Sequence, residues 1–185
     1  LASASPRRRQ LLEQIGIQCT VIASDVEEGV WQGESPEEFA VLLARKKAAF
    51  VAEQVPKGQV VIGADTIVVV DGVIYGKPEH AQHAKQMLTN LSGRRHQVMT
   101  GVAVIKGEQI WTELAVTEVA FRSLSASEID NYIATGEPED KAGAYAIQGY
   151  GALLVEKIQG CYTNVVGLPL ATLYRLLNEA GVKVL

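Results

Sequence analysis

Cysteine is scarce: Cys19 and Cys161 are the only two in 185 residues, and neither sits in a CxxC or metal-type spacing. That argues against a disulfide framework or a structural zinc site and suits reduced thiols in a cytoplasmic protein. No apolar run approaches the roughly 20 residues of a membrane span, and no signal peptide is legible. A basic excess is missing too. The net charge of -4 argues against a nucleic-acid coat and leaves room only for a local basic pocket. Neither G-x-G-x-x-G nor a Walker-type loop occurs, so a dinucleotide fold or a P-loop is not expected. There is no internal repeat, low-complexity tract or clear linker. With 48% hydrophobic and 21% charged residues, a globular chain remains, read as a single domain over residues 1–185.

The stretch Val60-Val61-Ile62-Gly63-Ala64-Asp65-Thr66-Ile67-Val68-Val69-Val70 is apolar on both sides of one small, polar interruption. Such Val and Ile runs suit strands buried on both faces. An unpaired carboxylate is very costly to bury. Asp65 therefore requires a strand break, a neighbouring cation, or both; a turn in which it bonds its own backbone is the plainer alternative. Gly63 and Ala64 remove bulk beside it and admit a ligand or another backbone.

Leu1 to Ala4 reads as the end of a first strand, and the opening on Leu1 rather than Met suggests that leading residues are missing. Ser5 suits an N-cap and Pro6 a first helical position. Arg7-Arg8-Arg9 then place three cations where the helix dipole disfavours them. A turn of small residues, a helix N-terminus and clustered guanidinium groups make a good anion site; a solvated basic helix surface is the alternative. Cys19 to Ala23 reads as a second strand. It runs into Ser24-Asp25-Val26-Glu27-Glu28-Gly29, whose carboxylates either hold a hard divalent cation together with Asp65 or are simply solvated.

Ser35-Pro36-Glu37-Glu38 is a capping box that opens a helix running toward Val55, with Phe39, Leu42, Leu43 and Ala49 on its buried stripe. One of Arg45, Lys46 and Lys47 lies near the edge of that stripe, within reach of a central pocket. Asp71-Gly72 predicts a hairpin. Lys77, between Gly76 and Pro78, is either a phosphate point charge or a loop residue. A helix spans Ala81 to Leu91 and stops at Ser92-Gly93. His96–Ile105 and Gln109–Phe121 read as strands around a Lys106-Gly107 hairpin. No second His or Cys lies at metal spacing from His96, so it reads as structural.

Ser125-Ala126-Ser127-Glu128 is a second capping box, opening a helix that Gly136 stops. Glu137 to Gly151 is loop-like. Its small residues, tyrosines and Gln148 suit contact with a planar base, or form an ordinary glycine-rich turn region. Leu153–Ile158 reads as a further strand, and a last helix ends near Asn178. The irregular alternation, with hairpins in the middle, predicts an α/β or α+β domain with a mixed sheet.

Ser3-Ala4-Ser5-Pro6-Arg7-Arg8, Gly63-Ala64-Asp65-Thr66, Gly76-Lys77-Pro78, Asp140-Lys141-Ala142-Gly143-Ala144-Tyr145 and Val166-Gly167-Leu168-Pro169 together resemble the Maf family of nucleoside triphosphate pyrophosphatases. The loop Ala144-Tyr145-Ala146-Ile147-Gln148-Gly149 resembles the branch acting on dTTP and UTP rather than the one acting on 7-methyl-GTP. The resemblance implies an elongated, twisted mixed sheet with helices around a deep cleft, as in inosine triphosphate pyrophosphatases. It implies a divalent metal, Mg²⁺ or Mn²⁺, and a homodimer. It also implies cleavage of canonical or modified pyrimidine triphosphates to monophosphate and pyrophosphate, in nucleotide-pool sanitising or a division-linked role.

Residue by residue, the resemblance makes Asp65 the catalytic proton acceptor and ties Arg8, Thr66 and Gln148 to base selectivity. Glu28, Lys47 and Lys77 match charged residues of the family's cleft; Arg7, Arg8, Lys47 and Lys77 are expected to bind phosphate, and Asp65 with Glu28 to hold the metal. Arg9 extends the usual arginine pair and carries no assigned role. The alternatives are a non-catalytic nucleotide-sensing regulator of cell division and a sugar-phosphate or phosphomonoester hydrolase. No nucleic-acid or membrane partner is expected.

Overall fold

The computed structural model describes residues 1–24, 26 and 35–185. Strand β1 (Val60–Val70) runs without interruption through Asp65, so of the alternatives open for that residue the strand break is absent. The other strands are β2 (Val73–Tyr75), β3 (Arg95–Lys106), β4 (Gln109–Phe121) and β5 (Val155–Gln159), in the sheet order β2-β1-β3-β4-β5. β1 pairs antiparallel with β2, and β4 with β5, whereas Ala2 bridges Gly63 in parallel. The α/β class is as predicted, but the five-stranded sheet is antiparallel rather than mixed, and the parallel contact is an isolated bridge outside its strands. At the β1–β2 hairpin, Asp71 (φ 50°) and Gly72 (φ 78°) are both left-handed, the conformation that a two-residue turn between twisted strands demands.

The helices among the described residues are α1 (Pro6–Gln14), α2 (Pro36–Ala52), α3 (Ala81–Leu91), α4 (Ala126–Ala134), α5 (Tyr162–Val166) and α6 (Leu170–Glu179). Both predicted capping boxes form, at Ser35 with Glu38 and at Ser125 with Glu128. Ser5 occupies the N-cap of α1, but its side chain makes no capping hydrogen bond.

The chain divides into two compact units. One comprises Leu1–Thr66, Thr100–Ala115 and Gly167–Leu185; the other comprises Ile67–Met99 and Val116–Val166. In the first unit, α2 turns Phe39, Ala40, Leu43, Ala44, Lys47, Ala48 and Val51 inward. Leu42 and Ala49, placed on the buried stripe from sequence, are only half-buried. The reason is the surface that α2 meets. A Cβ on Gly63 would lie 2.4 Å from the Ala44 carbonyl oxygen, and one on Gly101 would lie 2.3 Å from that of Ala40. The helix backbone thus rests on two glycines of the sheet, and only its alanine face fits there. Ala2, Val61, Ala103 and Ile105 complete this small-residue core.

In the second unit, Val68, Met87, Leu88, Leu91, Val119, Phe121 and Ile129 form a larger-residue core. Thr117, Val119 and Phe121 alternate inward on β4, with Glu118 and Ala120 between them half-buried. His96, 3% exposed, sets Nε2 2.7 Å from the Tyr145 hydroxyl and meets the Phe121 ring edge-on. It is the structural histidine its spacing suggested.

Three expectations fail. Cys19–Ala23 forms no strand: Leu1 N donates to Thr20 O and Ile22 N to Leu1 O, so its pairing involves a single residue. β5 starts at Val155 rather than Leu153, because Gly149–Leu153 winds into a 3-10 turn. α5 forms in a stretch read as a connector, where Asn164 Nδ2 donates to Val98 O and Thr117 Oγ1.

Burial lowers the His96 pKa to about 4, below its ordinary 6.5. The unfolded chain therefore binds this proton more readily than the folded one. The stability due to neutral His96 is fully present above about pH 6.5 and is lost as pH falls toward 4. Urea unfolding at about pH 7.5 and pH 5 should show a loss of about 2 kcal/mol in the wild type beyond that in His96→Phe. Equal losses in the two proteins would mean that His96 is not buried in its neutral form.

Candidate functional site

The close seating of α2 brings Lys47 over β1. Gly63 and Asp65 are two residues apart on an extended strand, so both face the helix. Lys47 Nζ donates to Asp65 Oδ1 at 2.5 Å, and the two residues are 8% and 6% exposed. Of the two ways to accommodate Asp65, the structure uses the neighbouring cation. Arg45 and Lys46 are exposed, so Lys47 is the member of the basic triplet that reaches inward.

Arg8 holds the residues on either side of Asp65. Its Nη1 donates to the Ala64 carbonyl at 2.8 Å and to Ser3 Oγ at 3.0 Å. Nη2 donates to Thr66 Oγ1 at 3.0 Å, and Nε to the Gly167 carbonyl at 2.7 Å. Thr66 Oγ1 lies 2.9 Å from Thr100 Oγ1, which is fully buried on β3. Side chains alternate along a strand, so the Thr66 hydroxyl and the Asp65 carboxylate project from opposite faces of β1. Lys47 grips this segment on one face and Arg8 on the other. The guanidinium expected to clamp phosphate is engaged with protein acceptors from four places in the chain.

Arg7 is half-buried on α1, and Arg9 is exposed and pairs with Glu13 at 3.3 Å. Lys77 and Gln148 belong to the second unit, and both are exposed. Their segments are tied together there. Gly143 N donates to Gly76 O at 3.0 Å, and Gly143 lies so close to Val68 that a Cβ would sit 2.9 Å from a valine methyl. Gly143 has φ 68° and Ala144 φ 60°, a left-handed pair that turns Tyr145 inward to His96. Gln148 follows on the exposed part of the loop.

Glu28, Asp25 and Glu27 lie outside the described residues. Among the described residues no group of three or more His, Cys, Asp and Glu side chains is placed to hold a metal ion. Asp65 offers a single carboxylate. That fits the way Mg²⁺ commonly binds, through one or two carboxylates plus substrate phosphates, and does not fit an all-protein cage. Thr100 was not singled out from sequence; the signal available was a polar residue next to Gly101 inside the apolar β3. Glu137, described below, gave no local signal.

The family described as Maf-like protein matches residues 1–180 of the chain. The chain is 52% identical over 183 residues to the dTTP/UTP pyrophosphatase of Geotalea uraniireducens, covering 98% of this chain and 94% of that protein. It is 51% identical over 179 residues to the dTTP/UTP pyrophosphatase of Salmonella typhimurium, covering 97% and 91%. It is 48% identical over 181 residues to the protein of that name from Methylococcus capsulatus, covering 98% and 90%. A solved nucleoside-triphosphatase / dITP/XTP pyrophosphatase from Mycobacterium abscessus aligns over 97% of this chain and 94% of its own, with 14% identity and a TM-score of 0.43.

Removing one partner of a buried ion pair leaves the other uncompensated, at a cost of roughly 3–5 kcal/mol. Lys47→Met should therefore lower the urea midpoint sharply, and Lys47→Met/Asp65→Asn should recover part of the loss. A single variant as stable as the wild type would show that the pair is solvated.

Proposed function

Because the chain belongs to the Maf family, we propose that it hydrolyses dTTP and UTP to the monophosphate and pyrophosphate, with Asp65 at the reacting phosphate. The observation that carries this is the placement of Asp65: a carboxylate in the middle of a buried strand, with Lys47 on it. Burying such a pair stabilises the fold little, since desolvation offsets most of the attraction. Chemistry is the better reason for its presence.

Asp65 accepts the proton of the attacking water. Lys47 holds the carboxylate in place until substrate arrives. A triphosphate brings several negative charges, which compete with Asp65 for the ammonium. Movement of Lys47 toward a phosphate oxygen then frees Asp65 Oδ1 for the water. Arg7 and Lys77 add positive charge against the developing negative charge of the transition state. Arg8 and Thr66 act on the substrate through β1, by fixing the strand around Asp65. Gln148 reads the base, since its amide both donates and accepts.

A divalent cation, Mg²⁺ or Mn²⁺, held by Asp65 with Glu28 and the substrate phosphates, would neutralise phosphate charge when bound. A homodimer is part of the same proposal, as the family resemblance implies, and so is a cytoplasmic location, which the two free cysteines favour. Incubation with dTTP and UTP in the presence of Mn²⁺ should release pyrophosphate. Orthophosphate would point instead to a phosphomonoesterase, and no release to a nucleotide sensor.

Asp65→Asn is expected to lower stability, and the folded fraction, measured by circular dichroism, should lose at least about a hundredfold in turnover; near-normal turnover would remove Asp65 from the chemistry. Gln148→Ala should narrow the gap in kcat/KM between UTP and GTP, read from a nucleotide panel at fixed metal. An unchanged ratio would take base reading away from Gln148.

A further inference from the structure

One carboxylate closes the loop that carries Gln148. Glu137 Oε1 accepts from the Tyr132 hydroxyl and from Gly151 N, both at 2.9 Å, and Oε2 accepts from Tyr150 N at 3.0 Å. The same Tyr132 hydroxyl accepts from Ala146 N at 3.2 Å. Both ends of the segment Ala146–Gly151 are thereby fixed, one directly by Glu137 and the other through Tyr132. Hydrogen bonds to an ionised acceptor are about twice as strong as neutral ones, and three donors converge on this one group.

The sequence of the loop is fitted to that carboxylate. A Cβ on Gly149 would lie 2.4 Å from Glu137 Oε2, and Gly149 has φ 66°. A Cβ on Gly151 would lie 2.0 Å from the Ala146 carbonyl oxygen and 2.7 Å from the Tyr132 hydroxyl. The two ends of the turn therefore touch, and only glycine allows it. Between them Ile147 is buried and Gln148 is exposed. The Glu137–Tyr132 pair fixes the backbone on both sides of Gln148, at Ala146 and at Tyr150 and Gly151.

We propose that Glu137, acting through Tyr132 and the amides of Tyr150 and Gly151, is the positioning residue that orients Gln148 and so sets pyrimidine selectivity, an inference that rests on Gln148 as the base reader. Hydrogen-bond discrimination depends on direction as well as on chemistry. An amide on a loosened turn meets uracil and guanine edges with little preference. Glu137→Gln retains shape and replaces one acceptor oxygen with an amide that faces an N–H donor. Tyr132→Phe removes the hydroxyl that links Glu137 to Ala146 and leaves the Glu137 bonds to the Tyr150 and Gly151 amides in place.

The test is kcat/KM for UTP and GTP in the wild type, Glu137→Gln, Tyr132→Phe, Gln148→Ala and Glu137→Gln/Gln148→Ala, with thermal unfolding as the check on folding. Glu137→Gln should lower the UTP-to-GTP ratio by about tenfold, mainly by raising KM for UTP. The double variant should lose no more selectivity than Gln148→Ala. Amide hydrogen exchange at Tyr150 and Gly151 should quicken in Glu137→Gln while exchange in β3 stays slow. A folded Glu137→Gln with the wild-type ratio, where Gln148→Ala lowers it, overturns the proposal and leaves Gln148 as base reader. Additive losses in the double variant also overturn it. A lowered ratio in Glu137→Gln with none in Gln148→Ala removes base reading from Gln148 and overturns the proposal with it. Should Glu137→Gln fail to fold, Tyr132→Phe decides: a lowered ratio supports the proposal, and an unchanged one overturns it.

Discussion

The contact of the α2 backbone with Gly63 and Gly101 governs how Asp65 is held. Large side chains at those positions would push the helix away from the sheet, and the Lys47 ammonium would no longer reach a carboxylate on β1. The small-residue face Ala40, Ala44 and Ala48 exists to permit that approach. Lys47 occupies the same face three residues after Ala44, one helical turn along. Steric fit thus sets an electrostatic distance. The resulting pair contributes no more to stability than apolar residues of the same volume would.

The second unit solves a different problem. Its candidate site segments are loops, and loops lack ladder hydrogen bonds to hold them. Polar side chains aimed at the backbone do that work instead. His96 holds Tyr145 from the sheet side, and Glu137 with Tyr132 closes the turn after it. Gly143 reaches the Gly76 carbonyl, so two segments distant in sequence share one anchor. Glycines at 143, 149 and 151 are the counterpart of these contacts, because each leaves space that a neighbouring atom fills.

Features governed by local chemistry were legible in the sequence. The capping boxes at Ser35 and Ser125, the Asp71-Gly72 hairpin and both ends of α3 follow from short-range rules, and all appear where those rules put them. The need of Asp65 for a cation followed from the cost of burying charge. Which cation answered it depended on the rotation of α2, and that is fixed by glycines on two other strands rather than by the helix's own periodicity. The Arg8 acceptors and the short α5 were illegible for a related reason. Both depend on groups brought close only by folding, such as Gly167 for Arg8 and the Val98 carbonyl for Asn164. Glu137 sits among Pro, Gly and other acidic residues, where nothing local separates an organising carboxylate from a solvated one.

The bond from Arg8 to the Gly167 carbonyl spans 159 positions. During synthesis α1 leaves the ribosome well before the last acceptor, with Ser3 beside it. Until then the guanidinium lacks one of its fixed partners, and the strand around Asp65 lacks part of its support. A nascent chain carrying every other motif is therefore expected to be idle, and hydrolysis to begin only once translation has passed the α5–α6 junction.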